Sequence, residues 1–421
     1  MPGADVTRTI DAVWRIESAR LIAGLARFVR DVGVAEDLAQ EALVAALEQW
    51  PRDGVPDNPG AWLMAAAKHR AIDRMRRADV HRRKTEEIGR NLELRGADAP
   101  DLAAQAADPF DDDLLRLIFT ACHPVLSVEA RVALTLRLLA GLTTKEIARA
   151  YLVPEATVQQ RIVRAKRTLS AARVPIEVPE RGELPERLAA VLEAIYLIFN
   201  EGYVATAGTE WLRPELLEEA LRLGRMLAAL LPGEPEAHGL SALMELQASR
   251  SRARIGPDGE PVLLLDQDRS RWDWMLVGRG LAALERAYAT GGAVGTYTLQ
   301  AAIAACHARA RTAADTDWTS IVAIYDALAQ VAPSPVVELN RAVAIGMAFG
   351  PAQALPLVDE LAEEQALSSY HLLPTVRGDL LEKLDRPADA RAEFERALTL
   401  TRNARERSVL LERIANCSAH L

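Results

Sequence analysis

Residues 143–169 constrain this chain most, because they fit two helices joined by a tight turn. Thr143 can cap the first helix, and Glu146, three residues later, closes a capping box with it. Pro154 suits the first position of a second helix, where its missing N–H has no helical partner. The second helix has apolar residues at helical spacing, at Val158, Ile162, Ala165 and Leu169. The pattern predicts a helix-turn-helix.

The other side of the second helix is polar and basic. Amide and guanidinium groups can read base edges in the DNA major groove, and other cations can hold phosphates. An ordinary amphipathic helix with a solvated basic face would show the same pattern, so the segment alone leaves that alternative open. The candidate DNA-binding residues here are Glu155, Gln159, Gln160, Arg161, Arg164, Lys166 and Arg167.

Charge is unevenly distributed along the chain. The chain has 421 residues, enough for two or three domains. Its net charge of −9 excludes a general polyanion binder. Basic residues cluster locally in 68–90, whereas 97–112 contains none. This asymmetry predicts separate tasks for separate segments.

The chain lacks the sequence marks of a secreted, membrane or catalytic protein. Its three cysteines, Cys122, Cys306 and Cys417, have no metal-ligand or redox spacing and fit buried thiols in a reducing cytoplasm. We find no signal peptide, no apolar run that could span a bilayer, and no P-loop, dinucleotide, HExxH or GxSxG motif. We therefore expect a cytoplasmic, non-enzymatic protein with no cofactor, metal or membrane contact. Cys122-His123 is interpreted as a packed helix end, and Asp111–Asp113 as a solvated linker end or a helix start.

Helical periodicity dominates the whole chain, so the predicted fold class is all-α. Val262–Leu265 is the exception and fits a short extended piece. The predicted organisation is a helical domain at 8–84, an acidic flexible linker at 85–113, a second helical domain at 114–173 and a helical extension at 186–421.

The last third of the chain repeats. Small and large packing residues fall at tetratricopeptide positions, and the pattern recurs 36 residues apart. A weaker copy contains Tyr325, Leu328 and Pro333, and an irregular helical bundle remains the alternative. The two clearer copies contain Gly378, Ala390, Phe394 and Ala397, and Ala342, Ala354, Val358 and Leu361.

Two further helices precede the linker. Residues 35–51 place Asp37, Glu41 and Glu48 on one polar face, opposite Leu38, Ala42, Ala45 and Ala46. Residues 58–77 begin with Asn58 as a possible cap and become cationic toward their end. Such side chains can stack on or bond exposed bases and follow a phosphate backbone. The candidates are Asn58, Trp62, Lys68, His69, Arg70, Arg74, Arg76 and Arg77.

Taken in order, these motifs resemble bacterial RNA polymerase sigma factors of the extracytoplasmic-function type over residues 10–173. The resemblance rests on AEDLAQE (35–41), AWLMAAAKHRAIDRMRR (61–77), the acidic linker and the helix-turn-helix. It implies that the chain binds core RNA polymerase, at the β′ clamp helices and the β flap, and promoter DNA. By resemblance, polymerase contacts fall on Asp37, Gln40 and Glu41, −10 recognition on 56–77, and −35 reading on Gln159, Gln160, Val163 and Arg164. Lys68-His69 departs from the family's more usual Arg-Asn.

The extension contains YLIFNEGY (196–203), LDQDRSRWDW (265–274), TYTLQAAIAACHA (296–308) and SPVVELNRAVA (334–344). These segments resemble the sigma-factor group with a tetratricopeptide-like C-terminal region, which implies that the extension regulates the sigma module, with intramolecular contact as one route. The polar-aromatic cluster at 265–274 fits either a salt-bridged loop or a contact surface. Two other functions stay open: a stand-alone helix-turn-helix regulator with a sensory helical domain, and a helical-repeat scaffold.

Overall fold

Apolar residues at helical spacing organise the chain, and the computed structural model has the all-α fold that they predict. The structure describes residues 2–88, 110–151, 153–203, 213–256, 262–291, 295–401 and 404–419. Across these ranges the chain forms helices α1 to α18 with no β-sheet. Leu264–Asp266 forms a 3-10 turn, so only the start of the piece predicted as extended is non-helical.

The first domain consists of α1 (Pro2–Val29), α2 (Val32–Asp53) and α3 (Pro59–Ile88). Asp31 caps α2 by accepting from the Val34 N–H at 2.9 Å, and Asn58 caps α3 through the Ala61 N–H at 3.0 Å. Helix α3 continues past residue 84, where the sequence predicted the domain to end. The three helices bury a common core that includes Leu25, Leu38, Trp50 and Leu63.

The second domain consists of α4 (Phe110–Ala121), α5 (Val128–Leu138), α6 (Thr144–Tyr151) and α7 (Glu155–Ala171). The predicted capping box is confirmed: the Thr143 hydroxyl accepts from the Glu146 N–H at 3.2 Å, and the Glu146 carboxylate accepts from the Thr143 N–H at 2.8 Å. Pro154 is the N-cap of α7 rather than its first residue, because its ψ of 140° is extended. The four predicted apolar residues of α7 are buried.

Helix α4 begins inside the stretch predicted as linker. Three linker acids, Asp111 to Asp113, are part of it, and Asp112 and Asp113 pair with Arg116 one turn later. The rest of that linker, residues 89–109, lies outside the described residues.

Two helices of the predicted extension, α8 (Leu184–Tyr203) and α9 (Pro214–Leu230), pack against α4 and α5. The chain divides into two compact units, Met1–Leu230 and Leu231–Leu421. The division therefore falls after α9, whereas the composition of the chain placed it near residue 185.

The second unit is a succession of helices, most of which pack on the next helix along the chain, whereas α12 packs more on α10 than on α11. Its helices are α10 (Pro235–Ala248), α11 (Trp274–Ala289), α12 (Thr296–Arg309), α13 (Trp318–Val331), α14 (Pro335–Phe349), α15 (Pro351–Leu361), α16 (Leu372–Lys383), α17 (Pro387–Leu400) and α18 (Ala404–Ala419).

Packing in the second unit confirms the predicted repeat. A Cβ at Gly378 would lie 2.6 Å from Cε1 of Phe394, so the glycine allows α16 and α17 to approach. Phe394 is fully buried with Ala390 and Ala397. The residues 36 positions earlier, Ala342, Ala354 and Val358, form an equivalent buried cluster.

Candidate nucleic-acid and protein interfaces

Helix α2 presents an exposed face that combines acids with apolar side chains. Asp37 and Glu41 are exposed and Gln40 is half-buried. Beside them, Val44 and Leu47 are 51% and 42% exposed, although the opposite face of the helix, which includes Leu38 and Ala42, is buried. Exposed apolar groups next to charges are typical of protein-binding surfaces.

Helix α3 holds the predicted −10 residues in several different settings. Trp62 packs edge-on against Trp50, with ring centroids 5.4 Å apart. Arg70 donates to the Glu41 backbone carbonyl oxygen, and its Nε lies 3.9 Å from the Glu41 carboxylate, so it joins the α2 face. Asn58 is used as the helix cap. His69, Arg74 and Arg76 are exposed and Lys68 is half-buried; the side chain of Arg77 lies outside the described residues.

Helix α7 presents a row of exposed side chains along the predicted recognition face. Glu155 accepts from the Thr144 hydroxyl at 3.0 Å, which ties the start of α7 to α6. Arg161 is half-buried and borders an apolar cavity. The exposed residues of the predicted set are Glu155, Gln159, Gln160, Val163, Arg164 and Arg167.

Lys166 differs from the other candidates because it faces the first domain. Its ammonium group pairs with Oε2 of Glu36 on α2, while Arg137 Nε on α5 lies 2.6 Å from Oε1 of the same carboxylate. The Glu36 side chain is only 5% exposed. We call Glu36, Arg137 and Lys166 the Glu36 ion cluster. The sequence analysis did not identify Glu36. It could have been found as an acid on the apolar face of α2, because it lies four residues after Val32 and three before Ala39.

Another ion pair joins the same two domains. Asp113 on α4 is buried and lies 3.2 Å from Arg27 on α1, and it also accepts from Arg116 at 2.9 Å. A cleft of about 730 Å³ lies between the domains, beside Lys166, and Arg30 and Arg173 are among the residues that line it.

Helices α8 and α9 hold the second domain through side chains that reach its helix ends. Arg187 donates to the Phe119 carbonyl oxygen at 3.0 Å, and Arg222 to the Leu139 carbonyl oxygen at 2.6 Å. Arg131 pairs with Glu193 at 3.0 Å. Cations that bond the last carbonyls of a helix are favourable there.

An apolar cavity of about 500 Å³ lies between the helix-turn-helix and α8. Tyr151, at the end of α6, borders it, and burial raises the pKa of its hydroxyl well above the usual value. Glu201 of α8 also lines the cavity and pairs with Arg213.

Cys122, which the sequence singled out as a possible reactive group, has a structural role. Burial raises the pKa of the Cys122 thiol to about 11, and its Sγ lies 3.2 Å from the Thr135 hydroxyl just after α4 ends. This is the packed helix end that was predicted, and the high pKa disfavours a nucleophilic thiolate.

The polar-aromatic cluster at 265–274 is built around buried Arg269. Its guanidinium donates to the His307 and Ala310 carbonyl oxygens and lies 5.0 Å from the Trp272 ring centroid. These bonds join the loop to the end of α12, so the cluster braces its own unit.

Metal sites and membrane spans are the other site types considered for the described residues. The described residues include no group of three or more His, Cys, Asp or Glu side chains that could hold a metal ion. Within the same ranges, no helix combines the length and apolarity needed to cross a membrane.

Family comparisons match three parts of the chain. Residues 16–80 match Sigma-70 region 2, and residues 116–169 match Sigma-70, region 4. Residues 187–288 match a family of unknown function, DUF6596. The two sigma matches coincide with the domains α1–α3 and α4–α7.

Relatives extend these matches. An uncharacterized protein of Rhizobium meliloti is 43% identical over 400 residues, covering 94% of this chain and 92% of that protein. A probable ECF RNA polymerase sigma factor, SigI of Mycobacterium tuberculosis, is 28% identical over 173 residues, which are 40% of this chain and 57% of that protein. A probable RNA polymerase sigma-C factor of Mycobacterium bovis is 29% identical over 41% of this chain and 83% of its own length.

Among solved structures, yeast Tom70 aligns over 99% of this chain and 85% of its own, with a TM-score of 0.31 and 10% identity, which is too low to support an inference. The family assignment rests instead on the region 2 and region 4 matches and on the sigma-factor relatives. The chain belongs to the extracytoplasmic-function group of the sigma-70 family of RNA polymerase sigma factors and carries an additional C-terminal helical region.

Proposed function

We propose that this sigma factor docks on core RNA polymerase through the exposed face of α2. The exposure of this face is the main support for the proposal. Asp37, Gln40 and Glu41 supply polar contacts, and Val44 and Leu47 supply apolar area that would otherwise face water. A helix that already buries its opposite face has no structural need for these exposed aliphatic groups. The partners by family resemblance are the β′ clamp helices, and the β flap for the region 4 domain.

The −10 element is captured by the exposed end of α3. His69, Arg74 and Arg76 project from the described part of this helix, where they can bond unstacked bases and follow the phosphates of a melted strand. Arg70 has a different role, because its contacts with Glu41 tie α3 to the docking helix. Trp62 supports the same junction through Trp50.

The −35 element is read by α7 in the major groove. Gln159, Gln160 and Arg164 carry the donors and acceptors that base edges require, and all are exposed. Arg167 is an exposed cation one turn further on and holds a phosphate.

The C-terminal region regulates the two sigma domains through α8 and α9, which contact the region 4 domain directly. Helices α8 and α9 bond the ends of α4 and α5 through Arg187 and Arg222. Their position sets how the helix-turn-helix is held, and the second unit transmits its state through them. The protein acts in the cytoplasm, with core polymerase as its partner.

Run-off transcription with purified core polymerase, with and without this chain, tests the proposal. We expect promoter-specific transcripts only when the chain is added. Specific duplex binding with no transcripts would favour a stand-alone helix-turn-helix regulator. Failure of both duplex binding and polymerase binding would favour a helical-repeat scaffold.

A further inference from the structure

We propose that the apolar cavity between the helix-turn-helix and α8 binds a small, uncharged, mostly apolar molecule, one oxygen of which bonds the Tyr151 hydroxyl. The site itself rests on the residues that line the cavity, all of which belong to the unit Met1–Leu230. Its consequence for transcription rests on the proposed function, since that assigns α7 to the promoter and regulation to the C-terminal region.

The cavity has the size and the walls of a small-molecule site. Its volume of about 500 Å³ is within the range of pockets that bind small ligands, which are usually lined by apolar side chains. Four helices supply those side chains, with Val132 on α5, Ile147 on α6, Val158 on α7 and Leu197 on α8. A molecule that fills the cavity therefore gains aliphatic contacts with all four helices at once.

Tyr151 supplies the polar contact. It lines the cavity, and its hydroxyl is buried without a hydrogen bond to any of the described residues. Buried hydroxyl groups normally have a partner, because burial without one costs free energy. Burial, together with the nearby charge of Glu201, raises the pKa of this phenol well above its usual value, so it stays a neutral donor. A carbonyl or hydroxyl oxygen of the bound molecule can supply the missing partner.

Charges around the cavity are already balanced, which favours an uncharged ligand. Glu201 pairs with Arg213, and the two side chains are only 9% and 10% exposed. At the edge of the cavity, hydrogen bonds at the start of α5 and, in smaller part, the charge of Arg161 lower the pKa of the Glu129 carboxyl. A charged ligand would have to leave water for an apolar site that offers it no spare counterion.

The ligand would contact both sides of the junction between the helix-turn-helix and the C-terminal region. Tyr151 ends α6 and Val153 lies in the turn before α7, whereas Leu197 and Asn200 belong to α8. A molecule bound to this arrangement stabilises it in proportion to its concentration. The ligand therefore sets how firmly α8 holds the helix that reads the promoter.

Equilibrium dialysis of the full chain against 2-naphthol and naphthalene tests the site. Both molecules are uncharged and share one ring system, but only 2-naphthol has a hydroxyl. We expect saturable binding of 2-naphthol with a Kd of about 100 μM or lower. Naphthalene should bind about fivefold more weakly, because one neutral hydrogen bond is missing.

Two isosteric variants test the role of Tyr151. Tyr151→Phe should bind 2-naphthol and naphthalene equally, because the hydroxyl that distinguishes them is gone. Tyr288→Phe, which removes the hydroxyl of a half-exposed tyrosine on α11, is the matched control and should bind like the parent.

Hydrogen exchange locates the bound molecule. In the parent chain, 2-naphthol should slow amide exchange by about twofold or more in peptides that cover residues 147–158 and 195–203. Peptides from residues 262–291 should be unchanged. Leu197→Trp fills the cavity from α8 with a larger side chain, so it should lose both the binding and the protection.

Absence of saturable 2-naphthol binding to the folded parent, or full binding by Leu197→Trp, would overturn the site. A ratio of the two affinities that Tyr151→Phe leaves unchanged would overturn the Tyr151 bond. If Leu197→Trp does not fold, the exchange pattern of the parent decides, and protection outside the two segments would overturn the location. A chain that binds 2-naphthol as expected but yields no run-off transcripts would instead count against the proposed function.

Discussion

In our proposal, single side chains on α7 divide into base readers and phosphate contacts. Arg164 and Arg167 are exposed, and they lie three residues apart on the helix that faces DNA in our proposal. Arg164→Ala should weaken discrimination at one −35 position by about 1–3 kcal/mol if its contact is bidentate to guanine. Arg167→Ala should weaken binding to all sequences and lower the salt slope. Competition binding of holoenzyme to single-base promoter variants measures both; equal losses on every variant would show that the division is wrong.

His307 makes the second unit sensitive to acid. Burial lowers the pKa of its imidazole from 6.5 to about 4, and the positive charges of Arg250 and Arg269 act in the same direction. The unfolded chain therefore binds a proton below about pH 6.5 that the folded chain does not accept until about pH 4. The free energy of unfolding should fall as the pH decreases through this window, by about 2 kcal/mol between pH 7 and pH 5.

Denaturant unfolding at several pH values, followed in the full chain, measures this dependence. His307→Phe keeps a ring to face Trp318, at present 5.2 Å away between centroids, and removes the titration. That variant should lose about 2 kcal/mol less than the parent between pH 7 and pH 5. Parallel curves for the two proteins would contradict the lowered pKa.

At the scale of helices, the exposed face of α2 gives the sharpest test of polymerase docking. Asp37→Arg together with Glu41→Arg should abolish binding to core polymerase, because both carboxylates lie on the exposed face and neither belongs to the core. Pull-down with purified core polymerase measures retention, and circular dichroism checks the fold. Undiminished retention of a folded double variant would remove the docking assignment.

In the second unit, α16 and α17 approach each other closely at Gly378. Gly378→Ala should destabilise the unit by about 1–3 kcal/mol, because its Cβ would lie within 3.0 Å of three ring atoms of buried Phe394. Gly278→Ala on α11 is the matched control, since nothing lies within 4 Å of its added Cβ. That change should be neutral or stabilising by up to about 1 kcal/mol. Thermal unfolding compares them, and equal midpoints would exclude the packing constraint.

Local patterns predicted most helices because capping and apolar spacing act within a few residues. Thr143 with Glu146, Asn58, and the buried face of α7 all fell where the sequence placed them. The repeat could have been predicted more firmly from an arginine that recurs every 36 residues. In the structure each copy is held by two carboxylates: Arg341 by Asp326 and Glu338, Arg377 by Asp359 and Glu393, and Arg413 by Asp379 and Glu382.

Contacts between distant parts of the chain could not be predicted from the sequence. Lys166 looked like any other cation of a basic helix face, and only the fold brings it to Glu36, on another domain. The compact unit boundary after Leu230 depends likewise on where α8 and α9 pack, which composition does not record. Arg70 illustrates the same limit, since its tie to Glu41 joins two predicted sites of different function.

At the scale of the whole molecule, the boundary between the two units allows the C-terminal region to be dissected. Helices α8 and α9 belong to the same compact unit as the sigma domains, and Arg187 and Arg222 bond the ends of α4 and α5. A chain ending at residue 180 loses these helices and uncovers the aliphatic surface of α5 on which α8 packs. A chain ending at residue 230 keeps them.

Truncation should therefore have two separable effects. Residues 1–180 should be less stable than 1–230 by a few kcal/mol, because buried aliphatic side chains and charged hydrogen bonds are lost together. Residues 1–230 should stay folded but differ from the full chain in transcription, because in our proposal the second unit acts through α8 and α9. Run-off transcription at matched concentrations of folded protein, with thermal unfolding of each chain, measures the two effects. Should residues 1–180 drive the same promoters with the same strength as the full chain under all conditions, the C-terminal region would be a passive appendage and its regulatory role would be wrong.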